Sequence, residues 1–224
     1  DFSGGPVYEK VTEFPQPLDS GEVVNELKKL AENALSESGV DREKVLGIGI
    51  GAPGRVDIET GEVLYYGRIP GMRNFSIKEP MEEAFAYPVY LHNNSAVVAL
   101  SEYRYGIAKE HDALLTVLIR SGVGGSFINN GDIFVTNNRT TLEIGHMLVQ
   151  MGGRRCGCGR EGCLEPYVSE DAILSDLREV IGEIDIDGLD ELIRRGEKSV
   201  LDVLEGKAET LAEGMRSLFQ LFGP

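Results

Sequence analysis

Three cysteines, Cys156, Cys158 and Cys163, fall within eight residues of one another and are spaced by glycine in the run Cys-Gly-Cys-Gly-Arg-Glu-Gly-Cys. An odd, tightly clustered set is a poor disulfide framework and a good metal cluster. The glycines at 157, 159 and 162 permit the tight turns that let ligands two and five residues apart converge. Zinc takes four nitrogen or sulfur ligands in a tetrahedron, so three thiolates leave one place. His146 fills it by elimination, since His92 and His111 lie farther away in sequence. A filled shell leaves no position for water, which makes the metal structural rather than Lewis-acidic. Zinc binding to such small sites is worth roughly 10–16 kcal/mol, enough to organise a loop with little core of its own. The alternatives are three free thiols in a glycine-rich loop and, for His146 alone, a surface or core histidine. Free cysteines prefer burial among apolar neighbours, which counts against the first. Thiolate ligation needs reduced cysteines and points to the cytoplasm.

The rest of the composition excludes more than it identifies. No stretch of the 224 residues approaches the roughly 20 apolar residues that cross a bilayer. Asp1 to Lys10 lacks the basic and apolar blocks of a signal peptide. No membrane partner is expected. The formal net charge is −15, from 37 acidic against 22 basic residues. A surface that acidic repels phosphate backbones, so nucleic acid is not expected to bind this segment.

Along the chain the patterning alternates between strand and helix. Val7 to Phe14 reads as a short strand after a Gly4-Gly5 turn, broken by Pro15 and Pro17. From Ser20, Val23, Val24, Leu27, Leu30, Ala31 and Leu35 fall at helical spacing, and Gly39 is a natural stop. Val45 to Ile50 reads as a buried strand ending in Gly51-Ala52-Pro53-Gly54, with a turn at Asp57 to Gly61. Ile77 to Ala86 reads as a helix and Pro88 to Leu91 as a strand. Asn93 or Asn94 then caps a helix with apolar positions from Ala96 to Ile107. Leu114 to Ile119 is an apolar strand entering a glycine cluster, and Asn129-Asn130-Gly131 suggests a hairpin into Asp132 to Val135. Glu170 to Ile181, Leu189 to Arg195 and Val200 to Phe222 carry amphipathic helical spacing. The order argues for a layered α/β architecture, with a candidate lobe boundary near His111.

Three patches share a resemblance: Gly49-Ile50-Gly51-Ala52-Pro53-Gly54-Arg55-Val56-Asp57, Glu143-Ile144-Gly145-His146, and the cysteine cluster running on to Leu164-Glu165. Together they resemble the ROK family of bacterial sugar kinases and sugar-responsive repressors. The resemblance implies a two-lobed, actin-like, ribonuclease-H-like α/β fold with a structural zinc loop. Residues 1–111 would form the first, smaller lobe and residues 112–224 the second. The chain would begin about where the family's second strand ends and stop short of its last strand, so it reads as incomplete at both ends. By similarity, Glu143, His146 and Glu165 would contact sugar hydroxyls, and Asn93 would contact the sugar from the first lobe. With one ring nitrogen on zinc, His146 has its tautomer fixed and its outer N–H aimed in a set direction. The alternative for Glu165 is a solvated acid, and for Glu143 a brace to the metal site. Family members are commonly dimers or tetramers, which implies a homo-oligomer.

The pattern breaks where the family's kinases do chemistry. After the asparagine they carry an aspartate that takes the proton from the attacking sugar hydroxyl; this chain has Asn94. An amide can hydrogen-bond a hydroxyl but cannot act as a general base. The family's second phosphate loop, glycine-threonine-glycine in kinases, reads Arg120-Ser121-Gly122-Val123-Gly124-Gly125 here, so Ser121, Gly122, Gly124 and Gly125 are phosphate-loop-like positions. Leu142 stands where the family usually has glycine. Two functions follow. One is the carbohydrate-sensing domain of a transcriptional repressor, with DNA read by an upstream domain. The other is an ATP- and magnesium-dependent hexose kinase, glucokinase-like, with a divergent active site. A zinc-stabilised domain that has lost both roles is a third.

Overall fold

The computed structural model describes residues 5–14, 18–137 and 139–223. It is an α/β structure of two compact units. One comprises the chain up to His111 together with 133–141; the other comprises 112–132 and the chain from Leu142 onward. The segment 133–141 therefore groups with the first unit, on the other side of the boundary expected at His111. No helix among the described residues is long and apolar enough to cross a membrane.

In the first unit, α1 (Ser20–Glu37) opens on a capping box. The Asp19 carboxylate accepts from the Glu22 N–H at 2.9 Å, and the Glu22 carboxylate accepts from the Asp19 N–H at 2.8 Å. Strand β1 (Ile48–Ala52) runs parallel to β5 (Val89–Asn93), with Ala52 opposite Asn93. Between them lie an antiparallel sheet of β2 (Arg55–Asp57), β3 (Glu62–Tyr65) and β4 (Phe75–Ser76), and the helix α2 (Lys78–Phe85). Helix α3 (Asn94–Tyr105) follows β5 directly. Val56, Val63, Ile77, Met81 and Val89 are fully buried in one cluster against α1 side chains such as Val23. Full burial of such a side chain contributes about 1.5–3 kcal/mol.

Two sequence expectations need correction here. Residues 7–14 form no strand. Val7 and Val11 are exposed, Val11 by 89%, so the face a strand would bury stays in solvent, while Phe14 packs against the core. Instead Tyr8 and Lys10 reach across to Glu37 at the end of α1. Gly4, Pro15 and Pro17 lie outside the described residues. The strand expected from Val45 begins only at Ile48, because Asp41 caps a 3-10 turn over Arg42–Lys44 and Leu46 remains exposed.

The second unit begins with β6 (Ala113–Ile119), antiparallel to β7 (Val123–Asn129) along its whole length. Asn130 and Gly131 both take positive φ, 50° and 88°, the turn that matches strand twist, and lead into β8 (Asp132–Ile133). After the cysteine loop come α4 (Glu165–Val168), α5 (Glu170–Ile181), α6 (Ile186–Arg194) and α7 (Lys198–Phe222). One core joins Val123, Ile144, Leu164, Val168 and Leu218; another joins Leu177, Leu189 and Val200.

Candidate metal centre

The cysteine loop is assembled by backbone pairing with the segment that follows His146. Val149 N–H donates to Gly162 O at 2.8 Å and Leu164 N–H to Met147 O at 2.9 Å, which lays Cys163 alongside Leu148. A Cβ at Gly162 would sit 1.7 Å from Gln150 O, and its φ is +79°, so only glycine allows this approach. Cys156 N–H donates to Arg160 O at 2.8 Å, closing the tip of the loop. His146 ends a 3-10 turn, Ile144–His146, pressed against β7. A Cβ at Gly145 would meet Val123 O at 2.2 Å.

These pairings bring the four side chains named by sequence together. One ligand atom from each of His146, Cys156, Cys158 and Cys163 lies within 4.8 Å of the others. His146 Nδ1 is 3.6 Å from Cys156 Sγ, and Cys158 Sγ is 3.7 Å from Cys163 Sγ. A tetrahedron with Zn–S near 2.3 Å and Zn–N near 2.0–2.1 Å has S–S edges of about 3.8 Å and S–N edges of about 3.6 Å. The donor set and its spacing fit zinc. Cys156 and Cys163 are buried and Cys158 is exposed. Burial pushes the Cys163 thiol up, to about 12, with the neighbouring thiols adding to it. At Cys158 burial is outweighed by hydrogen bonds from the Arg160 backbone and guanidinium, and the thiol falls to about 6. Three sulfurs this close share negative charge stably only around a cation.

With Nδ1 turned to the sulfurs, Nε2 of His146 points away from them. It lies 4.0 Å from Glu143 Oε2. Glu165 starts α4 two residues beyond Cys163, and its carboxylate accepts from Val123 N–H at 3.0 Å. Glu143, His146 and Glu165 thus all belong to the second unit, beside the cysteine loop. Of the phosphate-loop-like positions, Ser121 and Gly122 form the tight β6–β7 turn, where Arg120 N–H donates to Gly122 O at 2.9 Å. Gly124 and Gly125 lie within β7, paired with Leu118 and Val117.

Asn93 and Asn94 belong to the first unit, at the carboxyl ends of the parallel pair β1 and β5. Asn93 caps α3: its Oδ1 accepts from Ser95 N–H at 2.9 Å while its Nδ2 donates to Gly54 O at 2.8 Å. Asn94 Oδ1 also accepts from Ser95 N–H at 2.9 Å. Ligands of open α/β sheets bind beyond such strand ends. A cavity of about 280 Å³ in this unit is lined by Gly49, Gly51, Tyr90, His92, Ala96 and Val97 among others, and neither asparagine lines it.

Sequence reasoning missed one polar group near the loop. Arg154 pairs with Asp176 of α5, which also pairs with Lys207 of α7. The signal was present at Lys207, which sits in the apolar stripe Val200, Leu204, Leu211, Leu218 at helical spacing.

Residues 13–224 match the sequence profile of the ROK family. The chain belongs to the ROK family. This ROK chain is 27% identical to glucokinase from Thermotoga maritima, over 98% of its own length and 73% of that protein. It is 28% identical to the xylose repressor of Bacillus subtilis, over 80% of its length and 46% of the repressor. Among solved structures it is similar to the ROK hexokinase from Thermus thermophilus, with a TM-score of 0.76 and 30% identity, covering 97% of this chain and 72% of that one. The ROK chain therefore spans less than half of the repressor and under three quarters of the two kinases. Its α/β fold is the actin-like fold of ROK sugar kinases.

Proposed function

We propose that this ROK chain is the sugar-sensing part of a transcriptional repressor, stabilised by zinc, and that it does not transfer phosphate. Asn94 carries the reading. It opens α3 just past the end of β5, where the resemblance calls for the base that deprotonates the sugar hydroxyl, and an amide has no basic pKa to offer. Its Oδ1 is already turned back to the Ser95 N–H of α3. Loss of a general base costs typically ~10²–10⁴-fold in rate, while hydroxyl binding survives.

His146, Cys156, Cys158 and Cys163 would hold the zinc. Bound there, zinc supplies loop closure and fixes the imidazole tautomer. His146 then donates from Nε2 to a sugar hydroxyl, Glu143 and Glu165 accept from hydroxyls, and Asn93 and Asn94 offer amide groups. With no tryptophan in the chain, recognition rests on polar groups rather than an indole face. We read residues 1–111 and 112–224 as the two family lobes, in a cytoplasmic homo-oligomer whose DNA reader is a separate domain.

The kinase reading is favoured by the likeness to glucokinase and ROK hexokinase. Incubation with ATP, magnesium and a panel of hexoses separates the two. No sugar phosphate is expected above background. Formation at on the order of tens of turnovers per second would establish a kinase.

A further inference from the structure

Arg154 stands two residues before Cys156 and is held through both its backbone and its side chain. Its backbone N–H donates to the Tyr167 hydroxyl at 2.6 Å, and its carbonyl accepts from Gly162 N–H at 2.8 Å. Its Nη1 donates to Pro166 O at 3.2 Å and to Asp176 Oδ1 at 2.9 Å, while Nη2 donates to Asp176 Oδ2 at 2.8 Å. The guanidinium lies over the Tyr167 ring, 5.1 Å from its centre. Asp176 completes the chain by pairing with Lys207, whose side chain is 10% exposed. A buried ammonium needs such a counter-charge, which keeps the carboxylate in place for Arg154.

The network has a particular reach. Arg154 belongs to the arm that enters the cysteine loop; Gly162, Pro166 and Tyr167 belong to the arm that leaves it. Asp176 and Lys207 are on α5 and α7. The side-chain and backbone N–H bonds of Arg154 run to oxygen atoms of Tyr167, Pro166 and Asp176. Both arms are thus tied to each other and to the helices behind them. A loop closed in advance spares the metal part of the ordering cost that binding would otherwise bear.

We infer that Arg154 and Asp176 are positioning residues for the metal loop: their bidentate pair, seated on Lys207, holds the loop's two arms together and slows the release of the metal. The clamp acts on α4 as well, because Pro166 and Tyr167 follow Glu165 directly. The inference rests on the reading that His146 and the three cysteines hold zinc.

The test uses the zinc-loaded protein under reducing conditions, with Arg154→Met, Arg154→Lys and a control, Arg194→Ala, which breaks the exposed Arg194–Asp190 pair of α6. Zinc content is measured first, then the first-order rate of zinc transfer to excess chromogenic chelator, then thermal melting of the loaded forms. Wild type is expected to carry one zinc, and Arg154→Met to release it about 10-fold faster, the lower end of what support residues around metal sites deliver. Arg154→Lys keeps the charge but loses the fork, and leaves Asp176 and Lys207 paired; it is expected to release zinc faster than wild type by a smaller factor. Arg194→Ala is expected to match wild type. If Arg154→Met fails to fold, Arg154→Lys decides. Wild-type rates in both variants, with zinc present, would overturn the clamp and leave the zinc reading standing. Wild-type protein without zinc would overturn both.

Discussion

The carboxylate of Glu165 accepts a hydrogen bond from the backbone N–H of Val123, 3.0 Å away and separated by 42 residues in sequence. It ties the first residue of α4, just past the last cysteine, to the first residue of β7. The same oxygen lies 2.9 Å from where a side chain at Gly122 would begin, so the carboxylate also covers the β6–β7 turn. A residue read from sequence as a sugar contact thus also braces the turn.

The observed brace and the proposed sugar contact of Glu165 separate by substitution. Glutamine at this position keeps an acceptor for Val123 N–H and loses the charge; alanine loses both. Glu165→Gln is expected to melt near wild type while weakening sugar binding. Glu165→Ala is expected to weaken binding and also cost about 1.5–3 kcal/mol of stability, the worth of a hydrogen bond to a charged group. Calorimetric titration with sugar and thermal melting read the two effects. Equal sugar affinity in all three proteins would remove Glu165 from the binding site and leave only the brace.

Glu143 makes a sharper case, because its carboxylate is 4.0 Å from the outward nitrogen of His146 and belongs to no zinc shell. Glu143→Ala is expected to keep its zinc and to lose at least about 10-fold in affinity for whichever sugar binds wild type, the equivalent of ~1.4 kcal/mol. Titration of the zinc-loaded variant with the sugar panel checks this. Unchanged affinity, or loss of zinc along with affinity, would make Glu143 a brace of the metal site.

Much of this arrangement was legible in the chain, and the misses have physical causes. The helices were readable from amphipathic spacing, as over α1 and α5, and at α3 from the asparagine cap. Strands β2 and β4 are three and two residues long, too short to show a period of two, and went unread. Val7 to Phe14 carries strand-like residues but pairs with no strand among the described residues, a tertiary matter that propensity does not encode. The convergence of His146 with the three cysteines was readable because such donor clusters are local in sequence. The contacts of Glu165 with Val123 and of Arg154 with Asp176 span 42 and 22 residues, and no spacing rule reaches them. Lys207 carried a signal that went unread: a lysine in an apolar stripe needs an acidic partner, which is Asp176.

His92 offers a pH test independent of the metal, since it lies in the other unit. It is half-buried at the end of β5, and its Nδ1 accepts from Asn93 N–H at 2.8 Å. Burial pushes its pKa below the ordinary value of 6.5. A depressed folded-state pKa means the unfolded chain binds the proton more tightly. The stability contribution of neutral His92 is then complete above about pH 6.5 and lost as pH falls through the lower folded value. NMR titration of its ring protons is expected to give a midpoint below 6.5. A midpoint at or above 6.5 would contradict the burial of this ring.

The measurement closest to the centre of this account is metal content under reducing conditions, taken together with thiol reactivity. Purified protein is expected to carry one zinc per chain, with Cys156, Cys158 and Cys163 protected from thiol reagents until a chelator removes it. Cys163→Ser is expected to lose the zinc and the folded loop together. Protein without stoichiometric metal, whose thiols react equally before and after chelation, would contradict the account at its base.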